Sequence, residues 1–149
     1  MKNLFEAETR QEVLSRIEKL SAQSQRQWGE MTVDQMLYHI NRPMAYALGD
    51  LKLEPAKVNW LFRLVARPIT LGKSPFPKGV AQTAPDFKAT GKYTIETEKK
   101  HFKELIEQYA KSRDKKDWPP SLMLGKFTGD DWARMDYKHI DHHFRQFGA

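Results

Sequence analysis

At 149 residues, with 40% apolar and 30% charged positions, the chain has the composition of one soluble globular domain that can bury a core without staples. It contains no cysteine, which excludes disulfides, thiolate metal sites and cysteine nucleophiles. The net charge of +6 raises nucleic acid as a partner. However, the richest basic stretch, residues 88–116, is interleaved with Glu96, Glu98, Glu104, Glu107 and Asp114 and offers no unbalanced stripe. No window approaches the ~18 apolar residues of a spanning helix, and acids (Glu6, Glu8) stand where a signal peptide has its apolar core. The expectation is a cytoplasmic protein with neither a nucleic-acid nor a membrane partner.

In chain order, Val13, Leu14, Ile17 and Leu20 recur at helical spacing behind Thr9-x-x-Glu12, which has capping-box form. This predicts a first helix ending near Ser21 to Gln25. A polar connection follows, with a turn at Gly29. Thr32-Val33-Asp34-Gln35 is a second capping box, opening a helix through Met36, Leu37, His39, Ile40, Met44 and Ala47 to Gly49. Pro43 inside it predicts a kink beside His39, the residue four positions back. The apolar run Val58 to Ala66 reads as a short extra helix, near 57–67, stopped by Pro68. From Leu71 to Thr90 the punctuation by Pro75, Pro77 and Pro85 reads as a long crossover. A third main helix spans Ile95 to Arg113, with Phe102, Leu105, Ile106 and Tyr109 on one side and His101 reading as a surface residue. Thr128 caps the fourth, with Asp130 and Asp131 in its first turn, and Gly148 stops it. The expected fold is all-α: one domain over 1–149, a four-helix bundle with a long crossover between its second and third helices.

The chemistry concentrates in the last helix. Three of the five histidines fall within Tyr137-Lys138-His139-Ile140-Asp141-His142-His143. His139 and His143, one turn apart on one face, have Cβ atoms about 6 Å apart and can converge on one cation. They cannot complete its shell, and His39 is the candidate third donor. On a helical wheel Trp132 lies on their centre line, Asp136 and Gln146 about 40° to either side, Met135 about 60° away and His142 about 80° away, at the edge. The inward face thus mixes apolar bulk with polar groups able to orient an imidazole. Other sites are excluded: there is no His-Glu-x-x-His, no Glu-x-x-His pair in the last helix, no Gly-x-Ser-x-Gly and no phosphate-binding glycine loop. Nitrogen-only ligation suits zinc, nickel, copper and iron alike.

Two segments together, Trp28-Gly29-Glu30-Met31-Thr32-Val33-Asp34-Gln35-Met36-Leu37-Tyr38-His39 and Tyr137-Lys138-His139-Ile140-Asp141-His142-His143-Phe144-Arg145-Gln146-Phe147-Gly148, resemble the DinB-like superfamily. The resemblance covers essentially the whole chain. It implies a four-helix bundle, often a homodimer, holding a divalent ion (zinc, nickel or iron) on His39, His139 and His143. It also implies a metal-dependent enzyme, a hydrolase or thiol S-transferase acting on a small molecule such as a low-molecular-weight thiol. The alternative is a non-catalytic, stress-associated metal-binding bundle. Many relatives carry Glu after the first histidine of the last helix and Gly-Gln after the second; here Ile140 and Arg145-Gln146 stand there. Gln35, Tyr46, Asp136 and His142 are the candidates to contact the imidazoles or a substrate. Gln35 and Tyr46 qualify because they fall about 40° and 20° from His39 on the wheel. The apolar segment Trp60 to Ala66 is the candidate dimer surface, and the region Trp60 to Thr90 the candidate source of pocket walls.

Overall fold

Five helices make up the regular structure of the computed structural model, which describes residues 2–56, 58–78 and 91–149. They are α1 (Ala7–Glu18), α2 (Val33–Leu48), α3 (Trp60–Leu71), α4 (Ile95–Lys111) and α5 (Gly129–Gln146). Among the described residues there is no strand, and Ser121 and Gly125 form an isolated antiparallel bridge.

The caps follow local chemistry. Thr128 and Asp131 satisfy each other's backbone N–H groups at 3.0 and 3.1 Å, so α5 starts where its sequence places it. Gln35 returns to the Thr32 N–H at 3.0 Å in front of α2. Gly49, in the left-handed region at φ 101°, closes that helix. Thr94 caps α4 by accepting from Thr97 N–H, and Asn59 caps α3 by accepting from Leu61 N–H. The α1 expectation needs correcting. Its helix begins at Ala7, and Thr9 is buried within it, donating to Glu6 rather than capping. It also ends earlier than its pattern suggests, at Glu18, although Leu20 beyond it is still buried.

α2 runs unbroken through Pro43, whose missing N–H leaves the His39 carbonyl without its helical donor. It packs against α4 and α5; α1 lies against the same two helices, and α3 touches α5. Val13 and Ile17 meet Met36, Leu37, Ile40 and Met44, with Phe102, Leu105, Ile106, Ile140 and Phe144, in one apolar cluster. Each such side chain contributes about 1.5–3 kcal/mol by leaving water. A second cluster gathers Tyr46, Leu122, Leu124, Phe127 and Trp132. It ties the 112–128 connection down, since Trp132 Nε1 donates to the Pro119 carbonyl at 2.8 Å and the Tyr46 hydroxyl to the Pro120 carbonyl at 2.9 Å. His101 is half-buried rather than fully at the surface.

α3 departs most from expectation. It continues through Pro68 to Leu71, and none of its residues is buried. Its C-terminal carbonyls are held by Lys138 of α5, whose ammonium donates to Ile69, Thr70 and Gly72 at 2.6, 3.3 and 3.0 Å. Arg67 turns inward to the Lys126 carbonyl at 2.7 Å. The later part of the expected crossover, 79–90, lies outside the described residues. No helix among the described residues is long and apolar enough to cross a membrane.

Candidate metal centre

The second turn of α2 delivers His39 to the α5 face that carries His139 and His143. Each of the three offers a ring nitrogen, and these atoms lie within 4.8 Å of one another. His39 Nε2 and His139 Nε2 are 2.8 Å apart. The ring centroids stand 4.6–4.8 Å from one another, with interplanar angles of 76–85°, so the imidazoles meet edge to face around a common point. Two nitrogens bound to one tetrahedral ion at about 2.0–2.1 Å would sit ~3.3 Å apart, so the closest pair needs to open by only about half an ångström.

Burial sets the protonation. His39 and His143 are buried and His139 is half-buried. Desolvation, followed by the neighbouring His39, His143 and His142, holds His139 well below its ordinary value. Desolvation first, then His39, pushes His143 down to about 3. Both rings are therefore neutral bases at physiological pH, as coordination of a divalent cation requires. Among the described residues the donor set is three nitrogens, which suits a nitrogen-preferring divalent ion and is one ligand fewer than a closed tetrahedral shell. The three histidines named from the sequence are brought together.

The four accompanying candidates fare differently. His142 stays at the rim, half-buried, with its ring 5.0 Å from His143, 5.8 Å from Trp28 and 6.0 Å from Phe76. Desolvation lowers its pKa, opposed by Asp141 and by a backbone hydrogen bond at Phe76. Lys78 Nζ lies 4.4 Å over the Trp28 ring, so the stretch just after α3 reaches this rim. Gln35 is committed to the start of α2 through Thr32. Tyr46 is two turns from His39, in the second cluster and bonded to Pro120. Asp136 is fully buried and accepts a short hydrogen bond from the Tyr109 hydroxyl. Desolvation raises its carboxyl to about 7, against the lowering effect of that bond. Gln146 is the group that meets a site imidazole directly: its Oε1 lies 2.8 Å from His143 Nδ1. Its place on the wheel beside His143 marks it as a candidate to orient the ring, whereas its own partner, the Trp28 carbonyl, has no signature in sequence.

Compared with protein-family models, curated proteins and solved structures, the chain finds no match. The resemblance to the DinB-like superfamily therefore rests on residues 28–39 and 137–148 alone.

Proposed function

We propose that the chain is a metal-dependent enzyme of DinB-like type, with His39, His139 and His143 holding one zinc, nickel or iron ion. The observation that carries this reading is the convergence of three imidazoles from α2 and α5, their ring nitrogens within 4.8 Å of one another. In this reading α1, α2, α4 and α5 are the four-helix bundle, and α3 belongs to the crossover between its second and third members. A divalent ion bound there supplies Lewis acidity to a thiol, water or carbonyl oxygen of a small-molecule substrate. The protein's own part is to keep the imidazoles unprotonated and desolvated and to orient them. His142, Trp28 and Phe76 form the rim against which a substrate rests, with Lys78 over the indole favouring an anionic one. Ile140, where relatives carry Glu, is buried in the apolar core, so this position supplies no carboxylate base. Homodimerisation through the exposed face of α3 belongs to the same reading.

A non-catalytic metal-binding bundle is the second reading. It is favoured by the burial of the site: His39 and His143 are buried and His139 half-buried. Metal titration of protein made without a histidine tag separates the readings. One ion per chain is expected, and His139→Ala should weaken binding by more than the ~10–100-fold typical of an outer partner. Adding a small thiol or azide to the cobalt or nickel form should then change its visible spectrum. Sub-stoichiometric binding overturns both readings; a spectrum indifferent to every added ligand leaves the non-catalytic one. Loaded protein is then screened with small thiols plus electrophilic acceptors and with simple esters and amides.

A further inference from the structure

We propose that the Trp28 carbonyl and the Gln146 side chain form a positioning relay that locks His143 as its Nδ1–H tautomer, leaving the Nε2 lone pair for the other two imidazoles. The inference extends the metal-centre reading, though its first test does not depend on a metal. The relay starts from an atom that can only accept. Gln146 Nε2 lies 2.6 Å from the Trp28 carbonyl oxygen. Only the amide –NH2 can satisfy that contact, so the amide orientation is decided and Oε1 must face His143. Oε1 in turn only accepts, and it lies 2.8 Å from His143 Nδ1. A neutral imidazole carries a single N–H, which this contact places on Nδ1.

The anchor is held twice. The Gln27 N–H donates to the Gln146 backbone carbonyl at 2.8 Å, so the loop ahead of α2 grips the end of α5 by main chain as well as by side chain. Gln146 is itself buried. Gly29 makes the approach possible: its φ is +76°, and a Cβ there would overlap Gln146 Nε2. Trp28-Gly29, far in sequence from the last helix, thus acts on His143 through Gln146. The other two histidines are placed differently, because their Nε2 atoms face each other and either can carry the shared proton. The lone pair of His143 is thus set by hydrogen bonds to an amide and, through it, to a main-chain carbonyl.

The test is long-range ¹H–¹⁵N correlation of the imidazoles in ¹⁵N-labelled, metal-free protein at neutral pH. Wild-type His143 should appear as a pure Nδ1–H tautomer. Gln146→Met removes the acceptor and should give a mixture or the Nε2–H form. Gln146→Glu keeps an oxygen before Nδ1 but loses the amide donor to the Trp28 carbonyl, so it should restore Nδ1–H in part, a graded rescue that a merely space-filling role would not give. With zinc, Gln146→Met should lower affinity about 10–100-fold, with Gln146→Glu closer to wild type. A wild-type His143 carrying its proton on Nε2 overturns the relay, whatever the variants do, and so does a tautomer unchanged in Gln146→Met. If the tautomer follows residue 146 but the wild type binds no ion, the relay stands and the metal-centre reading falls.

Discussion

Along the seam of α2 and α5, polar side chains are buried because they meet one another. Along α3, apolar side chains are exposed because the helix's polar residues turn inward. In the seam, His39 faces His139, His143 faces Gln146, and Asp136 takes the Tyr109 hydroxyl, all without a formal cation between them. In α3, Trp60 is 70% and Leu64 61% exposed while Arg67 bonds the Lys126 carbonyl and Lys138 reaches across to the helix end. The first region is completed by its own side chains and, in our proposal, by an ion. The second is attached through a few long cations and has its apolar side uncovered among the described residues. The two regions should therefore fail separately when perturbed.

The largest expected separation comes from Lys138→Met. The substitution keeps most of the stem but removes an ammonium that satisfies three carbonyls, and hydrogen bonds to charged groups contribute about 1.5–3 kcal/mol. Native-state hydrogen exchange should show α3 amides losing protection about 10–100-fold while α4 amides keep theirs. Uniform loss across both helices would mean that α3 belongs to the same cooperative unit as the seam, and the comparison would collapse.

A smaller effect sharpens the seam side. In metal-free protein, His139 and His143 have folded-state pKa values depressed below the ordinary 6.5, so their contribution is complete above pH 6.5 and is lost as pH falls. Asp136 has the opposite sign: raised from 3.8 to about 7, its contribution is complete below pH 3.8 and is lost as pH rises to 7. Between pH 4 and 6.5 the two histidines outweigh the single carboxyl, so stability should rise with pH. Asp136→Asn removes the opposing group and should steepen that rise by up to about 1.4 kcal/mol per pH unit, measured by urea unfolding across the window. An unchanged slope would show that Asp136 does not hold a proton in the folded chain.

How much of this was readable beforehand depends on the kind of contact. Thr128 with Asp131, and Gly49 after α2, act within a few residues, so pattern alone places them. The three histidines were legible because spacing fixes two on one face and the third stands on another apolar-patterned helix. Tyr46 misled because a wheel reports angle and not height: seven residues along a helix is roughly 10.5 Å of axial rise, which carries it out of the centre and into the Trp132 cluster. Gln35 misled because its amide oxygen serves its own helix start. Pro68 did not stop α3 because the carbonyl it displaces, that of Leu64, lies on an exposed helix where water can satisfy it, while Lys138 secures the next turn. The Trp28 carbonyl was invisible, since a main-chain acceptor carries no residue identity.

The smallest effect on stability is expected from Leu64→Asp, and it probes the uncovered side of α3. Six large apolar residues there, Trp60, Leu61, Phe62, Leu64, Val65 and Ile69, are 45–70% exposed. With side chains of up to ~150–250 Å² for the aromatics, the face presents roughly 600 Å², near the ~800 Å² per partner of a standard interface. A membrane surface fits less well, because Arg67, which would have to meet lipid phosphates, is turned inward onto the 124–131 segment. A second copy of the chain, packed α3 against α3, meets the apolar side without needing those cations. Within one copy, Leu64→Asp touches little and should cost under about 0.5 kcal/mol. In a pair it sets a carboxylate and its symmetry mate into the middle of the buried face. Sedimentation velocity at tens of micromolar should therefore show a wild-type dimer and a Leu64→Asp monomer with the same unfolding midpoint at low concentration. A wild type that sediments as a monomer throughout, or a variant that still pairs, removes self-association from the account of α3. The seam's chemistry is unaffected by either result, because no residue of α3 contributes a ring to the histidine cluster.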